Sequence, residues 1–193
     1  LPYLYDDIDH AVRATDPRQS STLQELNGRL GAEFNVEVLG SFLYGIRELT
    51  ANFPVYSPDD LRGKRIRAIP TPVWISMIEG MGALPTPVDF SELTTALATG
   101  TVDGQENPLT TILTSNMYES QSYLMLTDHM INMLAVFTNT NSLAGLTEEE
   151  RDAIVSSIEE AADHILELSI AEHQELIGEL ADRGMTVIGP DDG

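Results

Sequence analysis

Residues 60–113 read DLRGKRIRAIPTPVWISMIEGMGALPTPVDFSELTTALATGTVDGQENPLTTIL. This stretch changes three times from an extended segment to a helical one. The predicted strands cover residues 64–69, 86–90 and 101–107, and the predicted helices cover residues 73–81, 92–99 and 109–113. Repeated strand-to-helix steps of this length predict an α/β fold on a parallel or mixed sheet.

The starts of these helices carry residues that suit a helix N-terminus. Pro72 and Pro108 stand where the first helical turn has no use for a backbone N–H. Thr71 and Ser91 can accept hydrogen bonds from the unpaired N–H groups there. Gly100 fits the end of the second helix.

Each predicted strand carries a polar or aromatic residue near its carboxyl end: Arg67, Phe90 and Asn107. Ligands of open α/β sheets bind beyond these strand ends. An arginine fork beside a helix N-terminus favours a carboxylate, because both the fork geometry and the helix dipole attract an anion. We therefore predict a carboxylate site at Arg67, where Asn107 would hydrogen-bond the ligand and Phe90 would cover its apolar part.

Structural interpretations of the same residues stay open. Arg67 can be a surface arginine at a strand end, Asn107 can form a turn before proline, and Phe90 can belong to the core. Trp74, on the first turn of a helix, suits either the mouth of a site or the core. Arg47 interrupts an apolar run and must either pair with a carboxylate in the core or lie exposed in a cleft.

The charge balance limits the class of partner. The chain has 193 residues, with 10 Lys and Arg against 31 Asp and Glu and a formal net charge of -21. Such an acidic chain is a poor partner for a nucleic-acid backbone. Lys64 is its one lysine, which fits either a protein of high-salt environments or an acidic protein from a GC-rich genome.

Compartment and membrane signals are few. The sequence contains no cysteine, which is neutral on the compartment. No apolar run reaches the roughly 20 residues of a membrane span. The opening LPYLY reads like the middle of a domain, so we expect a further segment upstream.

Motifs for catalysis or metal binding are absent from the sequence. The four histidines have no zinc-ligand spacing, and there is no P-loop, nucleophile elbow or dinucleotide fingerprint. Asp103 and Glu106 could form a carboxylate pair, although Gly104 between them indicates a tight turn. We therefore expect no enzyme activity, no cofactor and no metal.

The longest predicted element is a helix over residues 147–184. Thr147 and Glu150 form a capping-box pattern, and apolar residues recur at helical spacing as far as Leu180. At about 1.5 Å per residue, an unbroken helix would be on the order of 50 Å long. A last strand follows over residues 185–188.

Three segments resemble one protein family: residues 61–67 (LRGKRIR), 88–93 (VDFSEL) and 102–108 (VDGQENP). They are similar to the signatures of solute-binding proteins of tripartite ATP-independent periplasmic (TRAP) transporters, of the dicarboxylate-binding (DctP) type. The resemblance extends over nearly the whole chain, although members carry a substantial N-terminal stretch that this sequence lacks.

The resemblance implies a two-lobed, type II-like periplasmic binding fold that closes on its ligand. Residues 1–44 would belong to lobe I and residues 45–130 to lobe II, which holds the ligand carboxylate. The rest would follow in order, with residues 131–146 returning to lobe I, residues 147–184 as a helix that braces both lobes, and residues 185–193 as a strand and tail on lobe II.

The resemblance also implies roles for residues. Arg67 would pair with the ligand carboxylate, Asn107 would assist, Arg47 would reach the ligand and Phe90 would pack on it. Many members have a polar residue after the arginine, whereas this chain has AIPTP over residues 68–72. Thr71 and Trp74 are therefore expected to line a more apolar or differently shaped pocket.

The function implied is that of a periplasmic solute-binding subunit, or a lipid-anchored one where the host lacks an outer membrane. It would deliver a small organic acid to TRAP permease subunits. Sugar acids, dicarboxylates, aromatic acids and ectoine all suit the predicted residues. The alternative is an enzyme or a ligand-sensing regulatory domain on a similar α/β scaffold.

Overall fold

The computed structural model describes residues 2–192, which contain seven α-helices and six strands. The strands are β1 (Val36–Ala51), β2 (Arg65–Ala68), β3 (Leu84–Pro87), β4 (Gly104–Pro108), β5 (Tyr123–Asn139) and β6 (Thr186–Ile188). The helices are α1 (Ile8–Thr15), α2 (Ser21–Phe34), α3 (Pro72–Gly80), α4 (Phe90–Ala98), α5 (Leu109–Thr114), α6 (Thr140–Leu143) and α7 (Glu148–Asp182). No helix in the described part of the chain is long and apolar enough to cross a membrane.

The strands form one mixed sheet in the order β3-β2-β4-β1-β5-β6. β2 runs parallel to β3 and to β4, and β5 runs parallel to β6. β1 runs antiparallel to β4, with Arg47 opposite Pro108 and Glu48 opposite Asn107. The mixed α/β class and the long C-terminal helix predicted from the sequence are confirmed.

The described chain divides into two compact units. The larger unit combines the residues before Tyr5, Ile46–Met130 and the residues from His173 onward. The smaller unit combines Tyr5–Gly45 with Ile131–Glu172. β1, β5 and α7 each contribute residues to both units.

Two apolar clusters form the core of the larger unit. The first contains residues of β1, β2 and α3, among them Leu49, Ile66 and Ile78. The second contains residues of α4, α5 and the end of α7, among them Leu93, Ile112 and Leu180. Burial of each such side chain is worth roughly 1.5–3 kcal/mol. β2 is thereby fixed in the interior of the sheet, and Arg67 with it.

Polar contacts are prominent in the smaller unit. The side chain of Asn27 accepts from the Val38 backbone N–H at 2.8 Å and donates to its carbonyl at 2.8 Å, which ties α2 to β1. Arg18 binds Glu159 at 2.6 Å, and Arg151 binds Glu37. Helix α2 has no fully buried residue, so the two hydrogen bonds of Asn27 help to hold it in place.

The long helix begins as its capping box predicts. Glu150 N–H donates to Thr147 Oγ1 at 3.2 Å, and Thr147 N–H donates to Glu150 Oε2 at 2.8 Å. Two of the unpaired N–H groups at this end are therefore satisfied by side chains. The helix then runs without a break for 35 residues.

Two local predictions are wrong. Phe90 was expected at a strand end but is the first residue of α4, because β3 ends at Pro87. Gly104 was interpreted as a turn but opens β4. A Cβ at Gly104 would lie 2.4 Å from the Thr50 carbonyl oxygen, so glycine is required for the close approach of β4 to β1.

A buried arginine cluster as the candidate carboxylate site

Arg67 lies on β2 and only 2% of its surface is exposed. Its Nε donates to the carbonyl oxygen of Val88 at 2.9 Å. That bond is the only one its guanidinium forms within residues 2–192. The two terminal nitrogens of this buried fork therefore keep donors for another acceptor.

Arg67 also lacks an ion pair. Eight of the nine arginines have a carboxylate oxygen within 4 Å, and among the described residues Arg67 alone does not. Burial is the main reason that the pKa of Arg67 lies below its usual value, and the neighbouring Arg47 lowers it further. The charges of Glu106 and Asp89 act in the opposite direction. An arginine is nevertheless protonated in any protein, so its charge here is buried and uncompensated by a direct partner.

Arg47 is as buried as Arg67 but fully engaged. Its Nε and Nη2 bind the two carboxylate oxygens of Glu106, the latter at 3.0 Å. Nη2 also donates to the Glu106 carbonyl at 2.8 Å and to Asn107 Oδ1 at 3.0 Å. The antiparallel register of β1 and β4 brings these residues together. Of the two alternatives that the sequence left for Arg47, the carboxylate pair in the core is confirmed.

A chain of buried side chains continues from this pair. His129 Nε2 lies 3.2 Å from Glu106 Oε2, and His129 Nδ1 lies 2.8 Å from Thr127 Oγ1. Burial by itself raises the pKa of Glu106, but the hydrogen bonds from His129 and Arg47 outweigh it and hold the pKa below its usual value. Glu106 is therefore ionised and fixes the orientation of Arg47.

Asn107 is held from two sides. Its Oδ1 accepts from Arg47, and its Nδ2 donates to Gln105 Oε1 at 2.6 Å. Gln105 in turn donates to Thr50 Oγ1 at 2.9 Å. Because an amide carries two N–H donors, Asn107 retains one for a ligand.

Only one of the two buried arginines of this cluster has a carboxylate partner in the described residues. Arg47 and Arg67 are equally buried, and Glu106 is engaged by Arg47. Glu48, the residue after Arg47, is also buried, and burial raises its pKa to about 8. Arg67 is thus the buried arginine that lacks a carboxylate, which suits an anionic ligand.

Trp74 lies at the edge of the cluster on α3. Its ring centre is 5.9 Å from the guanidinium carbon of Arg47, within the range of a cation–π contact. Its indole Nε1 is buried and has no hydrogen-bond partner in the described residues. A buried N–H without an acceptor is costly, so a bound acceptor would stabilise it.

The remaining predicted residues stand at helix starts. Thr71 is the exposed N-cap of α3, and its side chain makes no capping hydrogen bond. Phe90, the first residue of α4, is 52% exposed. Neither shares a hydrogen bond with the arginine cluster in the described part of the chain.

The structure brings four of the predicted residues into one cluster, namely Arg47, Arg67, Asn107 and Trp74. Sequence reasoning missed Glu106 and His129 as its supports. It weighed Glu106 with Asp103, but Asp103 binds Arg65 at 2.6 Å. The signal available was the buried arginine at position 47, which required a carboxylate partner somewhere in the chain.

Comparison with known proteins identifies the family to which the chain is similar. Residues 1–192 match the family model of bacterial extracellular solute-binding proteins, family 7 (DctP). The chain is 32% identical over 191 residues to the sialic acid-binding periplasmic protein SiaP of Vibrio cholerae, covering 99% of this chain and 59% of that protein. It is 33% identical over 190 residues to the 2,3-diketo-L-gulonate-binding periplasmic protein YiaO of Escherichia coli, covering 97% and 56%.

A solved structure gives the same result for the fold. The TRAP periplasmic solute-binding protein of Roseobacter denitrificans with bound 3-deoxy-D-manno-oct-2-ulosonic acid superposes with a TM-score of 0.92 at 28% identity. The superposition covers 99% of this chain and 63% of that one. The chain thus spans less than two thirds of the length of these relatives.

Proposed function

This chain belongs to family 7 of the bacterial extracellular solute-binding proteins, and we propose that it captures a small organic carboxylate for a TRAP transporter. The larger compact unit would be the carboxylate-binding lobe that the sequence predicts over residues 45–130. Family members are periplasmic or extracytoplasmic, and we place this protein outside the cytoplasm with them. Its partners would be the organic acid and the membrane permease subunits.

The observation that carries the proposal is the buried, unpaired guanidinium of Arg67. A buried charge without a partner is strongly unfavourable, and an incoming carboxylate would remove that penalty. A guanidinium can bind both oxygens of a carboxylate with two parallel hydrogen bonds. The buried charge of Arg67 would then have a direct partner.

The neighbouring residues have distinct roles in this proposal. Arg47, fixed by Glu106, would add positive field and orient the ligand without needing to move. Asn107 would offer its remaining N–H, and Trp74 Nε1 would donate to a further ligand oxygen. Thr71 and Phe90 would border the ligand at the starts of α3 and α4.

The relatives support an acid as the ligand. The two relatives are named for the organic acids that they bind, sialic acid and 2,3-diketo-L-gulonate. The compound bound in the solved structure is also an organic acid. The unpartnered indole and amide donors favour a ligand with oxygens besides its carboxylate, as in a sugar acid or other hydroxy acid. The organic acid would bind one conformation of the protein more tightly than another, so binding would shift the population toward that conformation.

The test compares Arg67→Ala with Arg65→Ala. Arg65 lies two residues earlier on β2, pairs with the carboxylate of Asp103 and is exposed. A thermal-shift screen of organic acids on the purified protein identifies a ligand, and calorimetry then measures its affinity for each variant. We expect Arg67→Ala to weaken binding at least about a hundredfold, since charged hydrogen bonds contribute roughly 1.5–3 kcal/mol each. Arg65→Ala should bind normally.

Two further results are needed to interpret this experiment. Arg67→Lys keeps the charge but loses the fork, so it should bind more weakly than the wild type and better than Arg67→Ala. Unchanged affinity in Arg67→Ala would contradict the assignment. Equal loss in Arg65→Ala would also contradict it, because the effect would then follow from damage to β2.

A further inference from the structure

A second polar cluster lies in the larger unit, formed by Glu48 of β1, Asp128 of β5 and His173 of α7. One carboxylate oxygen from each acid and one ring nitrogen of the histidine all lie within 4.8 Å of one another. It is the one group of three potential metal ligands in residues 2–192. Glu48 is buried, His173 is half-buried and Asp128 is exposed, so one side of the cluster is open to solvent.

The carboxylate of Glu48 is only half satisfied. Its Oε2 accepts from the backbone N–H groups of Thr127 at 2.6 Å and Asp128 at 3.0 Å. Its Oε1 is buried without a hydrogen-bond partner among the described residues, and Glu48 itself is 0% exposed. A buried acceptor left unpaired is costly, so a cation bound at Oε1 would stabilise it.

The other two ligands are fixed by the backbone. Asp128 has a φ of 44°, in the left-handed region, although it lies inside β5. The bond from its own N–H to Glu48 holds this unusual conformation and places the two acidic residues together. His173 is on a continuous helix, so its position is set by α7.

We propose that Glu48, Asp128 and His173 bind a divalent transition-metal cation such as Zn²⁺. Two carboxylate oxygens and one imidazole nitrogen are ligands that such ions accept, and the imidazole disfavours Ca²⁺ and Mg²⁺, which prefer oxygen alone. Three protein ligands leave one or more positions for water on the open side. The ion would cross-link β1, β5 and α7.

The contacts agree with this assignment. The cation would satisfy Glu48 Oε1, the buried oxygen that has no hydrogen-bond partner in the described residues. The three residues are separated by 80 and 45 positions in the chain, so no local spacing motif marks them. Glu48 follows Arg47 in β1 and lies opposite Asn107 of β4, so this site adjoins the proposed carboxylate site, but its test does not depend on the identity of the organic acid.

The experiment measures uptake of Zn²⁺ by purified protein that has been treated with a chelator and then freed of it. Calorimetry should give one Zn²⁺ per chain, and Co²⁺ should give d–d absorption at the same stoichiometry. We expect Asp128→Asn and His173→Gln to weaken Zn²⁺ binding by at least about tenfold, since even the outer-shell partners of a metal change affinity by 10–100-fold. Mg²⁺ should bind far more weakly than Zn²⁺.

Controls on the same helix separate a site from general attraction to an acidic protein. Asp182→Asn removes one exposed carboxylate, and His164→Gln removes one exposed imidazole. Both should bind Zn²⁺ as the wild type does. The proposal is overturned if the wild type takes up no Zn²⁺, if both controls lose as much affinity as Asp128→Asn and His173→Gln, or if Mg²⁺ competes equally.

Glu48→Gln tests the buried ligand directly. This variant should also lose Zn²⁺ binding by at least about tenfold, because an amide is a poor ligand for such ions. If it does not fold, Asp128→Asn and His173→Gln still decide the question. As a second measurement, Zn²⁺ should raise the melting temperature of the wild type but not that of Asp128→Asn.

Discussion

The helices of this protein begin in two different ways. Those that start in the smaller unit are capped by side chains: Asp7 accepts from His10 N–H, Ser20 from Leu23 N–H, Asn139 from Asn141 N–H, and Thr147 from Glu150 N–H. The three helices of the larger unit, α3, α4 and α5, have no side-chain capping bond in the described residues. These three follow the carboxyl ends of β2, β3 and β4.

The difference indicates where the molecule leaves hydrogen-bond donors available to a ligand. A capped helix satisfies its own first N–H groups, whereas an uncapped one leaves them, with the positive end of the dipole, to solvent or a ligand. The same contrast holds for the arginines, since Arg67, beside the start of α3, lacks the carboxylate that every other described arginine has. At the carboxyl ends of β2, β3 and β4, the larger unit thus leaves two kinds of donor unpaired, namely the first N–H groups of the helices and the guanidinium of Arg67.

The largest expected effect tests the difference between the paired Arg47 and the unpaired Arg67. Arg47→Met leaves Glu106 buried without its main partner and should lower the free energy of unfolding by about 3–5 kcal/mol. Arg67→Met removes a charge that has no partner, so without ligand it should cost less than about 1 kcal/mol or stabilise the protein. Urea unfolding of both variants measures the difference. Equal losses would show that Arg67 is paired in solution.

A smaller effect tests the caps. Thr147→Ala removes one capping bond of α7 and should cost about 1 kcal/mol. Thr71→Ala removes a hydroxyl with no capping bond and should change stability by less than about 0.5 kcal/mol. Thermal or urea unfolding at neutral pH measures both. A loss in Thr71→Ala as large as that in Thr147→Ala would mean that α3 is capped after all.

The smallest effect concerns Arg65, which, unlike the buried Arg67, is exposed and pairs with a carboxylate. The hydrogen bond from Arg65 is the main reason that the pKa of Asp103 lies below its usual value. A lowered acid pKa stabilises the fold above that value, and the stabilisation is lost as the pH falls through the pKa of the folded state. Asp103→Asn should therefore cost about 0.2–1 kcal/mol at pH 7.

The pH dependence is the control for that prediction. The cost of Asp103→Asn should shrink as the pH falls through the lowered pKa of the folded carboxyl, because the wild-type side chain is also neutral below that pKa. Unfolding curves of both proteins at several values from pH 7 to pH 3 measure this. A cost that stays constant across the range would show that Asp103 contributes through packing instead of charge.

The features that could be predicted from the sequence are those that local residue patterns determine. The strand-to-helix order around Arg67 and the capping box at Thr147 are each decided within a few residues, and both are present. Phe90 was misplaced because the end of β3 depends on where an edge strand stops pairing. Gly104 was misread because its reason lies on another strand, at the Thr50 carbonyl.

The candidate site was predictable only in part for the same reason. Arg67 and Asn107 could be chosen from their positions at strand ends. The partner of Arg47 could not, because Glu106 is 59 residues away and only the register of β1 with β4 joins them. The Glu48, Asp128 and His173 cluster is longer-range still, since it joins two strands and a helix.

The division of the chain into two units has a consequence for protein engineering. Neither unit is encoded by one continuous gene segment, since the polypeptide passes from one to the other after Leu4, Gly45, Met130 and Glu172. Exchanging the proposed acid-binding unit between relatives would therefore require transfer of Ile46–Met130 together with the stretch from His173 onward. A chimera that moved only the first piece would leave β6 and the end of α7 matched to the wrong core.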